Sequence, residues 1–309
     1  MQPNYADLRF YNTSCNNGGA LLPYEIENYT SSNATIWIGT NLKGANTTIS
    51  VYYKNSTPVS PGQNVTGVWN SNFMGVWHMT NNTAVNILDS TYKNNGTSVN
   101  VTNATGVIDG GAYFNGSAYV DAGRSASLNN TLANNQLTLE GWFYLNGSYT
   151  GGTTERLIYR NTSTALGGFV LGMLNGTTSN ASFGSMAVLG VYNTSGSVNY
   201  FDSNINLSGN TWYYVVATYA GGASGKMYIN SVDRTVVNAS GIVQIFQPAS
   251  DLFLGTRSDK AAGTFFKGIM DEVRISNTSR SASWINQSYQ MGLNDSKWVK
   301  LGTPQSKPS

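Results

Sequence analysis

Phe265-Phe266-Lys267-Gly268-Ile269-Met270-Asp271-Glu272-Val273-Arg274-Ile275 carries the reading of this chain. Side chains on a strand alternate between faces. Uninterrupted alternation puts Ile269, Asp271, Val273 and Ile275 on one face, and Met270, Glu272 and Arg274 on the other. The apolar face then holds a carboxylate, which is costly to bury unless a cation or several donors meet it. Glu272 and Arg274 stand two apart on the other face, where an exposed pair forms with little desolvation. Asp271 is therefore a candidate metal ligand.

Outward from this strand, short alternating runs separated by Asn, Gly and Ser turns dominate, which is the pattern of an all-β sandwich or barrel. Strands are expected at Thr35–Ile38, Thr48–Tyr53, Ala112–Phe114, Leu137–Tyr144, Gly168–Met173, Trp212–Tyr219, Lys226–Ile229, Leu252–Gly255 and Gly268–Ile275. Helical spacing occurs at Ser281–Tyr289, where Trp284, Ile285 and Tyr289 share a face and Ser279 or Ser281 is the N-cap. Pro58, Ser60, Pro61 and Gly62 interrupt two strand-rich regions. The expected division is a small β-unit at 1–57, a linker at 58–68, a full-sized β-domain at 69–301 and a tail at 302–309.

The chain has 309 residues, 40% hydrophobic and 12% aromatic, which is enough to bury a core. Only 10% of residues are charged, well below the ~25% usual in soluble domains. A formal net charge of +2 and the lack of any Lys/Arg run argue against nucleic acid or acidic lipid as partner. A single cysteine, Cys15, excludes an internal disulfide framework. No apolar run approaches the ~20 residues of a membrane span. Asn-x-Ser/Thr recurs along the whole chain far beyond chance pairing, with examples at Asn28, Asn46, Asn64, Asn95, Asn115, Asn146, Asn175, Asn238, Asn277 and Asn294. Such tripeptides are also good turn sequences, but their excess favours N-glycosylation and an extracellular location. Asn115, beside an expected buried strand, is the exception.

Seven blocks in order carry a resemblance: Gly75–Met79, Asp89-Ser90, Gly110–Ser117, Leu137–Trp142, Asn210–Tyr219, Lys226–Asn230 and Asp271–Ile275. Together with the Ser281–Tyr289 helix they resemble a laminin-G-like domain of the concanavalin A-like superfamily. The implied fold is a jelly roll of two packed antiparallel sheets. In that superfamily the acid at the Asp271 position commonly supports a structural calcium. The resemblance thus implicates Asp271, with carbonyls near Gly75 and Gly111, as ligands. Calcium takes about six to eight oxygens, and carbonyls serve well in a chain poor in acids; a carboxylate met by backbone N–H groups or an arginine would be satisfied equally. The first unit, through Ala6–Phe10, Leu22–Glu27, Ala34–Ile38 and Ile49–Asn55, resembles the C-terminal half of a β-rich domain of unknown function from archaeal and bacterial surface proteins. A sandwich lacking its opening strands would expose unpaired edges.

Catalysis finds little footing. Jelly-roll glucanases need paired carboxylates at strand spacing; Glu25 and Glu27 lack a third acid at that spacing, and Glu140 and Glu155 have no acidic neighbour there. His78, the single histidine, has no Gly-x-Ser-x-Gly turn to serve. Tyr149, Phe183, Tyr192 and Tyr200 lie in Gly/Asn/Ser-rich stretches and are candidate sugar platforms, whereas Trp142, Trp212 and Tyr214 read as packing. The expectation is a non-catalytic extracellular surface protein that binds glycans or partner proteins, in adhesion or cell-envelope organisation. The alternatives are a filament or sheath subunit joined by β-strand complementation and, more remotely, a glycoside hydrolase.

Overall fold

A computed structural model of the chain describes residues 2, 4–13, 18–42, 47–55, 57, 62–80, 86–129, 135–147, 154–162, 167–174, 186–193, 195–238, 244–293, 300 and 302–305. Cys15, Tyr149 and Phe183 lie outside them. The first unit contains β1 (Arg9–Tyr11), β2 (Tyr24–Tyr29), β3 (Ala34–Ile38) and β4 (Ser50–Tyr52), followed by the short α1 (Val65–Val68). β1 pairs with β4, and β2 with β3. Tyr5, Leu8, Phe10, Leu22 and Tyr24 form its small core. Residues 62–68, within the expected linker, are packed on this unit: Asn64 donates its backbone N–H to the Tyr24 carbonyl at 2.9 Å, and Gln63 Oε1 accepts from the Ile26 amide at 2.6 Å.

The second unit runs through β5 (Phe73–Trp77), β6 (Asn86–Ile87), β7 (Gly96–Val99), β8 (Thr102–Thr105), β9 (Gly110–Asn115), β10 (Tyr119–Asp121), α2 (Ala126–Asn129), β11 (Leu137–Leu145), β12 (Thr154–Arg160) and β13 (Gly168–Leu174). It continues with β14 (Met186–Tyr192), β15 (Val198–Asp202), β16 (Thr211–Tyr219), β17 (Lys226–Ile229), β18 (Val232–Asp233), β19 (Val236–Asn238), β20 (Phe253–Leu254), β21 (Lys267–Ser276) and α3 (Ala282–Leu293). Two antiparallel sheets result. One has nine strands in the order β19-β15-β14-β13-β12-β20-β10-β7-β6. The other has eight, β18-β17-β16-β11-β21-β9-β8 with β5 also on β21. Alternate residues from both inner faces, among them Trp77, Phe114, Phe143, Phe169, Phe201 and Phe266, fill one core between the sheets. The all-β jelly-roll expectation is met.

Local chemistry explains the connections. β17 and β18 are joined by Asn230-Ser231, both with positive φ (50° and 65°), as a two-residue hairpin turn of the right twist requires. The Ser281 hydroxyl accepts from the Trp284 amide at 3.2 Å and caps α3. α3 then lays Ile285, with Trp284 and Tyr289 beside it, over Trp142, Tyr214, Val216 and Tyr228 on the outer face of the eight-stranded sheet.

β21 departs from simple alternation. Trp142 pairs with Asp271 but Glu140 pairs with Arg274, so Glu272 and Val273 together oppose Gly141. This is a β-bulge, and Glu272 sits in it with φ 51°. The extra residue switches parity: Met270, Val273 and Ile275 point into the core, while Asp271 shares the outer face with its partner Trp142, and Arg274 with Glu140. The expectation that Asp271 shares a face with Val273 and Ile275 is thereby overturned. So is that of an exposed Glu272–Arg274 pair, because both residues are buried under the first unit.

Candidate functional site

Two places carry concentrated chemistry. The first is the junction of the two units. β2 presents Glu25 and Glu27, the end of β5 presents His78, and the β21 bulge presents Glu272 and Arg274. His78 Nδ1 lies 2.7 Å from Glu272 Oε1 and 3.6 Å from Glu27 Oε2, and its Nε2 lies 3.2 Å from Glu25 Oε2. The Arg274 guanidinium pairs with Glu272, reaches Glu140 at 3.8 Å, and stands over the rings of both Trp37 (4.6 Å) and Trp69 (5.0 Å), whose centres are 5.5 Å apart. Ser90 Oγ donates to Glu25 at 2.6 Å, Trp69 donates to the same carboxylate, and Trp37 Nε1 donates to Glu27 at 2.7 Å.

The electrostatics follow from this packing. Burial works against a charged imidazole, but the Glu272 carboxylate and the bond to Glu25 outweigh it and raise His78 to about 10. Burial, with Glu272 as a like charge, pushes Glu27 up to about 7. Burial also acts to raise Glu25 and Glu272, yet His78, and Arg274 for Glu272, hold both below the usual carboxylate range. Glu27, His78 and Glu272 offer atoms within 4.8 Å of one another, a group that could hold a metal ion. Every one of those atoms already has a charged or hydrogen-bonding partner within the junction. Sequence spacing could not reveal this cluster, because Glu25 and Glu272 are brought together by tertiary packing alone.

Asp271 lies beside the junction. Its Oδ2 accepts from the amides of Val107 and Ile108 at 2.7 and 2.8 Å, and Oδ1 is buried without a hydrogen-bond partner. A side chain at Gly106 would meet the Gly110 carbonyl at 2.2 Å and Asp271 Oδ2 at 2.7 Å, so only glycine lets this turn close over the carboxylate. Burial first, and Glu272 second, raise Asp271 to about 9. Of its expected co-ligands, Gly111 lies near: its ideal Cβ would be 3.0 Å from Ile269 and 3.3 Å from the Met270 carbonyl. Gly75 does not. It pairs with Ile275, four residues along β21 from Asp271, roughly 13 Å at strand rise.

The second place is the outer face of the nine-stranded sheet. Tyr159, Val170 and Phe253 cluster there with Tyr119 and Tyr192. Tyr192 and Tyr200 meet edge-on with their hydroxyls 3.2 Å apart. Lys260 Nζ stands 4.4 Å from the Phe253 ring centre. Thr154, Arg156, Val170, Leu174, Val188, Gly190, Tyr192 and Tyr200 line a trough of about 140 Å³. Tyr192 and Tyr200, expected as platforms, are thus brought together, while Trp142 and Tyr214 are packed under α3 as expected. A larger depression, about 270 Å³, is lined by Ser203, Asn204, Ile205, Asp233, Arg234 and Thr235; it has no aromatic side chain, and its Asp233 is already paired with Lys226.

The sequons divide by position. Asn64, Asn95 and Asn115 are exposed, and Asn28, Asn146 and Asn277 are half-buried. Asn46, Asn175 and Asn294 lie outside the described residues, as does the side chain of Asn238 at the end of β19. Several perform the turn role: Asn64 Oδ1 caps α1 through the Gly67 amide, Asn95 Oδ1 accepts from the Asp89 amide, and Asn115 Oδ1 accepts from the Ser117 amide.

Comparison with known proteins places this geometry. Residues 4–73 match the family model of a Domain of unknown function (DUF2341). No curated protein sequence matches the chain. Among solved structures, domain 4 of AbnA, an extracellular arabinanase from Geobacillus stearothermophilus in complex with arabinotriose, has a TM-score of 0.51 at 19% identity. That match covers 70% of this chain and 97% of that one. The binding domain of botulinum neurotoxin serotype D/C VPI 5993 has a TM-score of 0.50 at 14% identity, over 72% of this chain and 52% of that one. These likenesses are of fold. Residues 114–286, more than half of the chain, match the model described as Concanavalin A-like lectin/glucanases superfamily, and the chain belongs to that superfamily.

Proposed function

We propose that the protein is a non-catalytic extracellular binding module whose outer nine-stranded face holds glycans. One observation carries this reading: α3 and the first unit cover the outer face of the eight-stranded sheet, whereas the opposite face presents a tyrosine-lined trough. Aromatic faces beside a few polar groups are what a sugar ring stacks on. The arabinotriose complex of the arabinanase domain supports the reading, since a sandwich of this type there holds an oligosaccharide. The buried acids do not support hydrolysis. Glu25, Glu27, Glu140 and Glu272 sit at the junction, paired with His78 or Arg274, on the side of the opposite sheet from the trough. A glycan array with the wild-type chain and Tyr192→Ala tests the reading: retained glycans should weaken at least about fivefold in the variant. A blank array, or identical profiles, would remove it.

Two subsidiary readings have their own observations. The unpartnered Oδ1 of Asp271 and the carboxylates near it favour a structural calcium held by Asp271 with carbonyls near Gly111, adding rigidity and no chemistry. Calorimetry of chelated protein should then show calcium binding and a raised melting temperature; a flat titration would eliminate the ion. Exposed Tyr29, Leu42 and Val51 on the first unit favour self-association through its two-stranded sheets. A concentration-independent monomer in sedimentation would exclude it. N-glycosylation of Asn64 and Asn95 completes the proposal, checked by mass spectrometry before and after glycosidase treatment.

A further inference from the structure

We infer that the trough on the nine-stranded face is built for an anionic saccharide, with the Arg156 guanidinium as the group that receives the carboxylate or sulfate ester. This rests on the glycan reading of the same face and goes beyond it by assigning the charge of the ligand.

Arg156 lies on β12 with its side chain in the trough. Its Nε is buried and has no hydrogen-bond partner, and among the described residues no carboxylate pairs with it. Nε is likewise unpartnered on Arg160, Arg274 and Arg280, but each of those guanidiniums has acceptors elsewhere: Arg160 donates to the Leu128 carbonyl and Asn129, Arg280 donates to Ser276, and Arg274 is clamped by Glu272 and Glu140. A guanidinium carries five donors in a planar fork and stays protonated at any physiological pH. Desolvating it without an acceptor is costly, and a bound oxyanion would remove that cost. Arg257, a like charge that acts on it, is already matched by Asp259 in its own ion pair, and Lys260 adds a further cation over Phe253. Burial lowers the Arg156 pKa, with Arg257 adding to it and the Tyr192 and Tyr159 hydroxyls acting against it.

The shape agrees with the charge. The guanidinium lies over Gly172, where a Cβ would come within 2.7 Å of the Glu155 carbonyl and 3.4 Å of Arg156 Nη1. At Gly190 a Cβ would press to 3.2 Å on both the Tyr192 and Tyr200 rings. A side chain at Gly190 would fill part of the trough, and one at Gly172 would crowd the arginine that lines it. Tyr159 supports the arginine from below at 6.0 Å, and the Tyr192–Tyr200 hydroxyl pair forms a polar wall. The result is one unmatched cation beside aromatic edges, which complements a sugar ring bearing an oxyanion more closely than a neutral one.

Titration calorimetry at low and moderate salt tests this with three probes of equal length: a uronate oligosaccharide, a sulfated neutral-backbone oligosaccharide and a neutral oligosaccharide. Wild type should bind at least one acidic probe about tenfold more tightly than the neutral one, the value expected of a charge-assisted hydrogen-bonded pair. Arg156→Gln should abolish that preference, Arg156→Lys should retain part of it, and Tyr192→Ala should weaken acidic and neutral probes together. The uronate and sulfated arms distinguish the two sources of charge. Equal binding of neutral and acidic probes, unaffected by Arg156→Gln, would overturn the charge assignment while leaving the glycan face standing. No binding of any probe would overturn both.

Discussion

Asp271 and Glu272 are adjacent carboxylates held in opposite protonation regimes by their surroundings. Asp271 meets two amides and no cation, so burial and its neighbour's charge raise it to about 9; Glu272 meets His78 and Arg274 and is lowered. A raised folded-state pKa means a contribution that is full below the unfolded value, 3.8 for this group, and is lost as pH rises toward about 9. In chelator, Asp271→Asn keeps an acceptor for Val107 and Ile108 and should flatten that part of the stability–pH curve. Asp271→Ala leaves both amides bare and should cost about 1–3 kcal/mol in urea denaturation. His78 has the same sign: its contribution is complete below 6.5 and lost between there and about 10. Glu272, Glu25 and Glu27 face it directly, and Arg274 pairs with the same Glu272. Melting temperature should therefore fall from pH 6.5 to 10, and His78→Gln should remove much of that slope while costing about 3 kcal/mol at pH 6. An unchanged alkaline limb in the variant would show that His78 is not its source.

At the scale of elements, the β21 bulge and α3 decide which faces are available. α3 was legible in the sequence: the Ser281 cap and the spacing of Trp284, Ile285 and Tyr289 predict the helix, which extends to Leu293 in the structure. Its role as a cover depends on one anchor, the fully buried Ile285. Ile285→Ala should destabilise the chain by about 3 kcal/mol and increase binding of a hydrophobic dye as Trp142 and Tyr214 are uncovered. Dye binding equal to wild type would mean that the cover survives without its anchor. The bulge was not legible. Nothing in Gly268–Ile275 marks a broken alternation, and φ 51° at a glutamate is a conformation the residue type disfavours. It persists because Glu272, once there, reaches His78 and Arg274 together.

For the whole molecule, the junction makes the two units one cooperative body. Trp37, Trp69 and Phe73 pack in a single cluster spanning them, and the Glu25–His78–Glu272 chain of contacts crosses the same surface. Calorimetry should show one unfolding transition. Arg274→Ala, which leaves Glu272 with His78 alone and uncovers the faces of Trp37 and Trp69, should split it into two or lower it steeply. A single unshifted transition in that variant would mean the units are coupled elsewhere.

Alternation, turn residues and seven ordered blocks are local or nearly local signals, and by themselves they determined the sandwich class, the superfamily and the packing role of Trp142 and Tyr214. Only the tertiary structure decided which way Asp271 faces, that Glu25 and Glu272 share one histidine, and that Arg156 has no carboxylate partner among the described residues. The physical reason is the same in each case. Strand periodicity fixes a side chain's parity only until a bulge intervenes, and the charge balance of a buried group is set by neighbours that sequence separation does not reveal.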